Sequence, residues 1–229
     1  MDSAYPRPQL RRADWMPLDG PWRFLHDDAR AFQDPAEIER WPREIRVPYP
    51  PESQASGIGD RGFHPVCWYQ REFELVPGKG RVLLRFGAVD YAARVWVNGQ
   101  LAATHEGGHT PFAADITHLL DACGRQQLTV RAEDDPHELT KPRGKQDWQL
   151  EPHALWYPRT SGIWQSVWLE QVPATYVDKI RWTPRVEGFA IGFEARLAGL
   201  PREEAIVSGF SQGGGLALAV GLLSDKIGA

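Results

Sequence analysis

The chain has 229 residues, 42% of them hydrophobic and 24% charged, with a formal net charge of −4. That length holds one large β-sandwich, or one ordinary domain with a fragment, but not a sandwich together with a (β/α)₈ barrel of roughly 250 residues. The balance of apolar and charged residues is that of a chain with a core, and mild acidity without a run of like charge gives nucleic acid no electrostatic footprint.

Residues 1–14 read as a polar, proline-containing arm with Arg7, Arg11 and Arg12 and no apolar stretch of the kind that begins a secretory leader. The longest apolar run, residues 216–223, is too short to span a bilayer, so the sequence predicts no membrane segment and a cytoplasmic location. Cys67 and Cys123 are too few and too far apart for a disulfide framework and are expected to be reduced. From residue 22 to 182, apolar and polar side chains alternate with period two over short segments broken by Gly, Pro and Asp, the pattern of half-buried antiparallel strands. Tyr69, Arg71, Phe73 and Leu75 share one face; Val82, Leu84 and Phe86 share another, as do Leu128, Val130 and Ala132. Helix signals are confined to single turns, at Asp34-Pro35-Ala36-Glu37 with its N-cap and proline, and near Asp115-Ile116-Thr117. Single turns cannot cover a sheet, so the sheets must cover each other.

Composition changes after Trp182, which is the last tryptophan in the chain. A boundary is therefore expected near Pro173 to Thr183, with the sandwich over 15–182, the start of a truncated second sandwich over 183–202, and a strand-turn-helix tail over 203–229.

Several motifs follow one another in an order that carries more information than any one of them. Leu18-Asp19-Gly20-Pro21-Trp22 opens the strands, Val47-Pro48-Tyr49-Pro50-Pro51-Glu52-Ser53 precedes the Trp68-Tyr69-Gln70-Arg71 strand, and Trp96-Val97-Asn98-Gly99 fits a hairpin whose Asn-Gly pair supplies two positive φ angles. Gly107-Gly108-His109-Thr110-Pro111-Phe112 and Thr160-Ser161-Gly162-Ile163-Trp164, running on to Glu170, complete the set. This series resembles the sugar-binding β-sandwich that opens family 2 glycoside hydrolases, the β-galactosidase and β-glucuronidase group. The resemblance implies a mainly β, jelly-roll-like, galactose-binding-domain-like fold. In relatives such a domain sends loops toward the sugar pocket of a barrel, and that barrel carries the two catalytic glutamates of a retaining mechanism. Neither glutamate has a counterpart here, so the chain is expected to be inactive alone. Tyrosine is commoner than His109 in the family loop, and Gly107 and Gly108 stand where an acid of β-galactosidases would be sought, so galactose preference is not supported.

The sugar-contact candidates lie in residues 145–159, which lack alternation and combine aromatic, acidic, amide and guanidinium groups. They are Asp147, Trp148, His153, Trp156 and Arg159. The plainer reading of the same stretch is an interdomain packing loop that touches no sugar. No cofactor and no metal is expected. His105-Glu106-Gly107-Gly108-His109 spells a zinc pattern, but paired glycines before Thr-Pro oppose the helix it needs. Gly57-Ile58-Gly59-Asp60-Arg61-Gly62 spells a dinucleotide fingerprint, without the preceding strand and following helix.

The tail holds Gly209-Phe210-Ser211-Gln212-Gly213, which resembles the nucleophile elbow of α/β-hydrolase carboxylesterases and acyl-protein thioesterases. No histidine follows Ser211 to act as its base, so the tail reads as a fused or mis-joined gene end, poorly ordered or self-associating through its apolar residues. The expected function is thus carbohydrate recognition within a family 2 type exo-glycosidase, with a sugar or glycoside and the barrel as partners. A free-standing carbohydrate-binding module and a serine hydrolase built on Ser211 are the alternatives.

Overall fold

A computed structural model describes residues 5–199 and the backbone of 206–212. The chain divides into two compact units, the first built from residues 5–6 and 12–171, the second from 7–11 and the residues from 172 on. In chain order the first unit carries β1 (Trp15–Pro17), β2 (Gly20–His26), β3 (Arg43–Val47), β4 (Val66–Glu74), β5 (Arg81–Phe86), β6 (Val89–Asp90), β7 (Ala92–Val97), β8 (Gln100–Glu106), β9 (Phe112–Asp115), β10 (Arg125–Glu133), β11 (Gly162–Ile163) and β12 (Val167–Val172).

These strands make a six-stranded sheet, order β3-β2-β4-β10-β7-β8, and a four-stranded sheet, order β1-β12-β5-β9, with β11 pairing β6 beside them. The sandwich expected from alternation is present. Trp22, Phe24, Tyr69, Phe73, Leu128 and Val130 of the larger sheet meet Val82, Leu84, Phe86, Val167 and Leu169 of the smaller one in a single buried cluster. Each fully buried aliphatic or aromatic side chain of this kind contributes about 1.5–3 kcal/mol.

Alternation also places large residues on the outer face of the six-stranded sheet. Trp68 and Trp96 stack there at 5.5 Å, and with Val66 and Ile38 they form a second cluster under Leu25, Phe32 and Trp41. The segment after β2 therefore folds back as a cover. Asp27 pins it: its carboxylate accepts from Ala31 N at 2.8 Å, Phe32 N at 3.1 Å and Trp68 Nε1 at 3.4 Å. The expected helical turns are 3₁₀ turns, Pro35–Glu37 closed by an Asp34–Glu37 capping box and Thr117–Leu119 tied through Asp115. Asn98 (φ 50°) and Gly99 (φ 77°) make the β7–β8 hairpin turn, and Asn98 Nδ2 also donates to Leu119 O and Gln126 Oε1.

On the outer face of the four-stranded sheet, Glu170 is wholly buried. Its carboxylate accepts from Tyr5 OH at 2.6 Å and Trp168 Nε1 at 3.0 Å and lies 2.8 Å from Arg85 Nε. Burial alone would raise its pKa, but these hydrogen bonds and the Arg85 charge hold it below the ordinary carboxylate value. The family-like motif ending at Glu170 is therefore a structural tie between sheet and arm.

The second unit is an antiparallel sheet of β13 (Tyr176–Arg185), β14 (Ala190–Ala198) and β15 (Ile206–Gln212), in that order. The two compact units divide between Gln171 and Val172, at the last residue of β12. Within the tail, Ser211 lies in β15 opposite Ile191, one residue before the strand ends. The elbow turn after it and the apolar helix expected through residue 223 lie outside the described residues, as does their use for self-association.

Candidate functional site

Residues 145–159 connect β10 to β11 and are held at both ends. Gln146 and Tyr157 form an isolated parallel bridge, with Asp147 N donating to Tyr157 O and Tyr157 N to Lys145 O, both at 2.9 Å. Gln146 anchors the base: its Nε2 donates to Asp90 Oδ2 at 2.9 Å, and its Oε1 accepts from Thr160 N at 2.7 Å. Asp90 is buried, and that burial pushes its carboxyl above the ordinary value.

Asp147 organises the interior of the loop. Its Oδ1 accepts from Gln149 N at 3.0 Å, closing an Asx turn, and its Oδ2 accepts from His153 N and lies 2.7 Å from His153 Nδ1. Burial opposes its ionisation, but the hydrogen bonds from Gln149 and His153 outweigh burial and hold the carboxyl below its usual value. Arg159 is likewise turned inward. Its Nε and Nη2 donate to Asp134 Oδ2 at 3.1 and 2.7 Å, and its guanidinium lies 6.0 Å over the Phe63 ring.

With the base buried, the aromatic residues form the outer surface. Trp148 packs edge-on against His153 at 5.2 Å and Trp156 at 5.4 Å, and remains 43% exposed. Leu155 and Tyr157 beside it are 64% and 61% exposed. Four of the five sequence candidates, Asp147, Trp148, His153 and Trp156, thus form one cluster, while Arg159 is committed to Asp134. Asp147 and Arg159 support the platform; Trp148, His153 and Trp156 present it. A cavity beneath, lined by Asp90, Asp134, Lys141, Gln146, Asp147 and Arg159 among others, measures about 10 Å³. That is room for about one water and not for a sugar. The sequence reading missed Asp90, Asp134 and the anchoring part of Gln146, because their partners lie far along the chain and leave no local spacing signal.

The other motifs have structural explanations. A Cβ on Gly108 would meet Asp90 Oδ1 at 2.1 Å, and Gly108 O accepts from Trp164 Nε1 at 2.7 Å, so the Gly107-Gly108 and Gly162-Ile163-Trp164 motifs lock together. Gly162 has φ +69°, and a Cβ there would meet the Tyr69 hydroxyl at 2.0 Å. Buried Glu52 accepts from Ser161 Oγ at 2.7 Å and Ser161 N at 3.2 Å. His105 lies in a strand, stacked on Phe112, while His109 packs on Trp164, so the zinc-like pattern is not on one helical face.

Comparison with known proteins agrees with this arrangement. The profile described as "Glycosyl hydrolases family 2, sugar binding domain" matches residues 42–173. The chain belongs to glycosyl hydrolase family 2. Among family 2 relatives, the beta-glucuronidase of Canis lupus familiaris is 34% identical over 216 aligned residues, covering 80% of this chain and 32% of that protein. The beta-glucuronidase of Mus musculus is 32% identical over 201 residues, covering 74% and 30%. The chain spans about a third of the length of the curated relatives it matches. The solved structure of Bifidobacterium dentium beta-glucuronidase complexed with coumarin-3-O-glucuronide has a TM-score of 0.66 and 25% identity, covering 81% of this chain and 36% of that one. Among the described residues, no helix is long and apolar enough to cross a membrane.

Proposed function

We propose that this family 2 sugar-binding sandwich is an accessory domain, whose loop at 145–159 contributes an aromatic wall to a glycoside pocket completed by a catalytic barrel. The observation that supports this reading is the Trp148–His153–Trp156 cluster, with Trp148 exposed and the other two half-buried, on a loop whose base is buried and hydrogen-bonded. Aromatic faces of this kind stack on the C–H surfaces of a pyranose, and a loop fixed at its base holds them without a large ordering cost. The cavity under the loop is too small for a sugar, so the platform needs an opposing wall from another domain. The names of the relatives, and the glucuronide in one of their structures, make β-glucuronides the proposed substrate class. Hydrolysis itself is assigned to the barrel, with one glutamate as acid/base and another as nucleophile.

The sheet β13-β14-β15 is read as the beginning of the second sandwich. Trp182 and Ile191 are exposed on it, with Val186 and Phe189 exposed at its β13–β14 turn, and the face carrying Trp182 and Ile191 is one a further layer would cover. We place the protein in the cytoplasm, where its two free cysteines, Cys67 buried and Cys123 exposed, stay reduced. Calorimetric titration of the chain with glucuronic acid and galactose tests the accessory reading. No saturable binding at millimolar sugar is expected; saturable binding that Trp156→Ala weakens would instead make this a free-standing carbohydrate-binding module. A serine hydrolase would show itself by fluorophosphonate labelling that Ser211→Ala abolishes.

A further inference from the structure

We propose that His26, Asp60 and His64 form a binding site for a divalent transition-metal cation of the zinc type, tying the loop before β4 to the end of β2. The residues come from two places that strand pairing brings together. His26 is the last residue of β2 and lies opposite Cys67 of β4, so the loop entering β4 runs back past the end of β2. One ligand atom from each of the three side chains lies within 4.8 Å of the other two.

The loop is shaped to present its two donors on one side. Asp60 N donates to Pro51 O at 3.0 Å, and Asp60 Oδ1 accepts from Gly62 N at 3.0 Å. A Cβ on Gly62 would meet His64 Nε2 at 2.8 Å and Asp60 Oδ1 at 3.1 Å, so the glycine leaves free the space where the two donors converge.

His64 is oriented by a second carboxylate. Its Nδ1 lies 2.8 Å from Asp28 Oδ1, a contact that favours the tautomer with the ring proton on Nδ1, which has its lone pair on Nε2. That nitrogen is 3.3 Å from Asp60 Oδ1, outside good hydrogen-bond geometry, and the two groups attract when Nε2 carries a proton or a cation lies between them. In that tautomer the Nε2 lone pair faces a carboxylate oxygen, and a proton or a metal cation between them removes the repulsion. Two ligands held at about 2.0–2.1 Å on a tetrahedral zinc ion are about 3.3 Å apart. A carboxylate behind a ligating histidine is also the arrangement that fixes its ring and raises its basicity.

His26 supplies the third donor. Its Nε2 is buried and without a hydrogen-bond partner among the described residues, and its ring stacks on His64 at 3.6 Å with 7° between planes. A metal lies in the plane of each imidazole it binds, so His26, with no hydrogen bond to lose at Nε2, is the ring that turns. Arg43 Nη1 sits 3.7 Å from Asp60 Oδ2 and engages the oxygen away from His64. Access is open, since Asp60 lines a depression of about 650 Å³ with Arg43, Glu44 and residues 57–61. Two imidazoles and one carboxylate favour zinc, cobalt or nickel over magnesium or calcium, with water as the fourth ligand.

A second proton on His64 is the competing way to satisfy the same atoms, and metal titration separates the two. Tag-free full-length chain, stripped with chelator, is titrated with Co²⁺ followed by visible absorption, and with Zn²⁺ followed by displacement of Co²⁺ and by the melting temperature. One equivalent per chain and a raised melting temperature are expected. His26→Ala and His64→Ala should each abolish the cobalt spectrum, and Asp28→Asn should weaken affinity by about 10–100-fold. His105→Ala, which alters the other histidine motif, should change nothing. Asp60→Asn, on the loop, serves where a histidine variant does not fold. Absence of saturable binding below about 1 mM, or a cobalt spectrum that survives His64→Ala or Asp60→Asn, would overturn the proposal.

Discussion

Gly162 shows how a single residue carries information across the sandwich. Its φ of +69° disfavours any residue with a Cβ, and the Tyr69 hydroxyl fills the position that a Cβ would take. Tyr69 is fully buried and cannot retreat. Gly162→Ala is therefore expected to cost about 2–5 kcal/mol, from left-handed strain and overpacking together, as a shift of the urea midpoint. A loss below about 0.5 kcal/mol, the size of an ordinary surface change, would contradict the packing described. Glu52 offers a pH test in the same region. Burial raises its carboxyl pKa above the unfolded value, against the Ser161 hydrogen bonds that lower it. A raised pKa favours folding while the group is protonated, and that contribution is lost as pH climbs through the folded value. Melting temperatures of Glu52→Gln minus wild type should thus grow more positive from about pH 4 to about pH 8; a difference that stays flat or falls would show that Glu52 is not destabilised by its charge. Sequence alone showed that Gly162 and Glu52 belong to motifs. It could not show that each motif is explained by a partner about ninety or a hundred positions away.

At the scale of elements, period-two alternation was legible because the sheets bury one face and the chemistry repeats every second residue. The faces read from Tyr69, Val82 and Leu128 are the faces buried between the sheets. Alternation does not say what covers the outer face. Trp68 and Trp96 look like the exposed side of their strands, and the segment after β2 covers them. The loop at 145–159 was legible for the opposite reason, as a stretch with no period. Its composition singled out the aromatic platform but not which polar residues are structural, since an aspartate that binds sugar and one that closes an Asx turn look alike in sequence. Asp147→Ala should loosen the loop while leaving the sandwich folded. Limited proteolysis should then cut within 148–157 several times faster than in wild type, with the main melting transition little changed. Cleavage at the wild-type rate would show that the Gln146 anchor alone holds the loop.

For the whole molecule, the ordered motifs identified the family because each reflects a contact between distant segments: Glu52 with Ser161, Gly108 with Trp164, Glu170 with Tyr5. Function at this scale depends on the platform of Trp148, His153 and Trp156 meeting a barrel. The direct test grafts residues 5–171 in place of the corresponding domain of the Bifidobacterium dentium enzyme and measures hydrolysis of coumarin-3-O-glucuronide. A chimera that is active, and that loses about tenfold or more in kcat/KM when Trp148 and Trp156 are both changed to alanine without a change in melting temperature, is the predicted result; each tenfold corresponds to about 1.4 kcal/mol. A folded, active chimera indifferent to both substitutions would contradict the account.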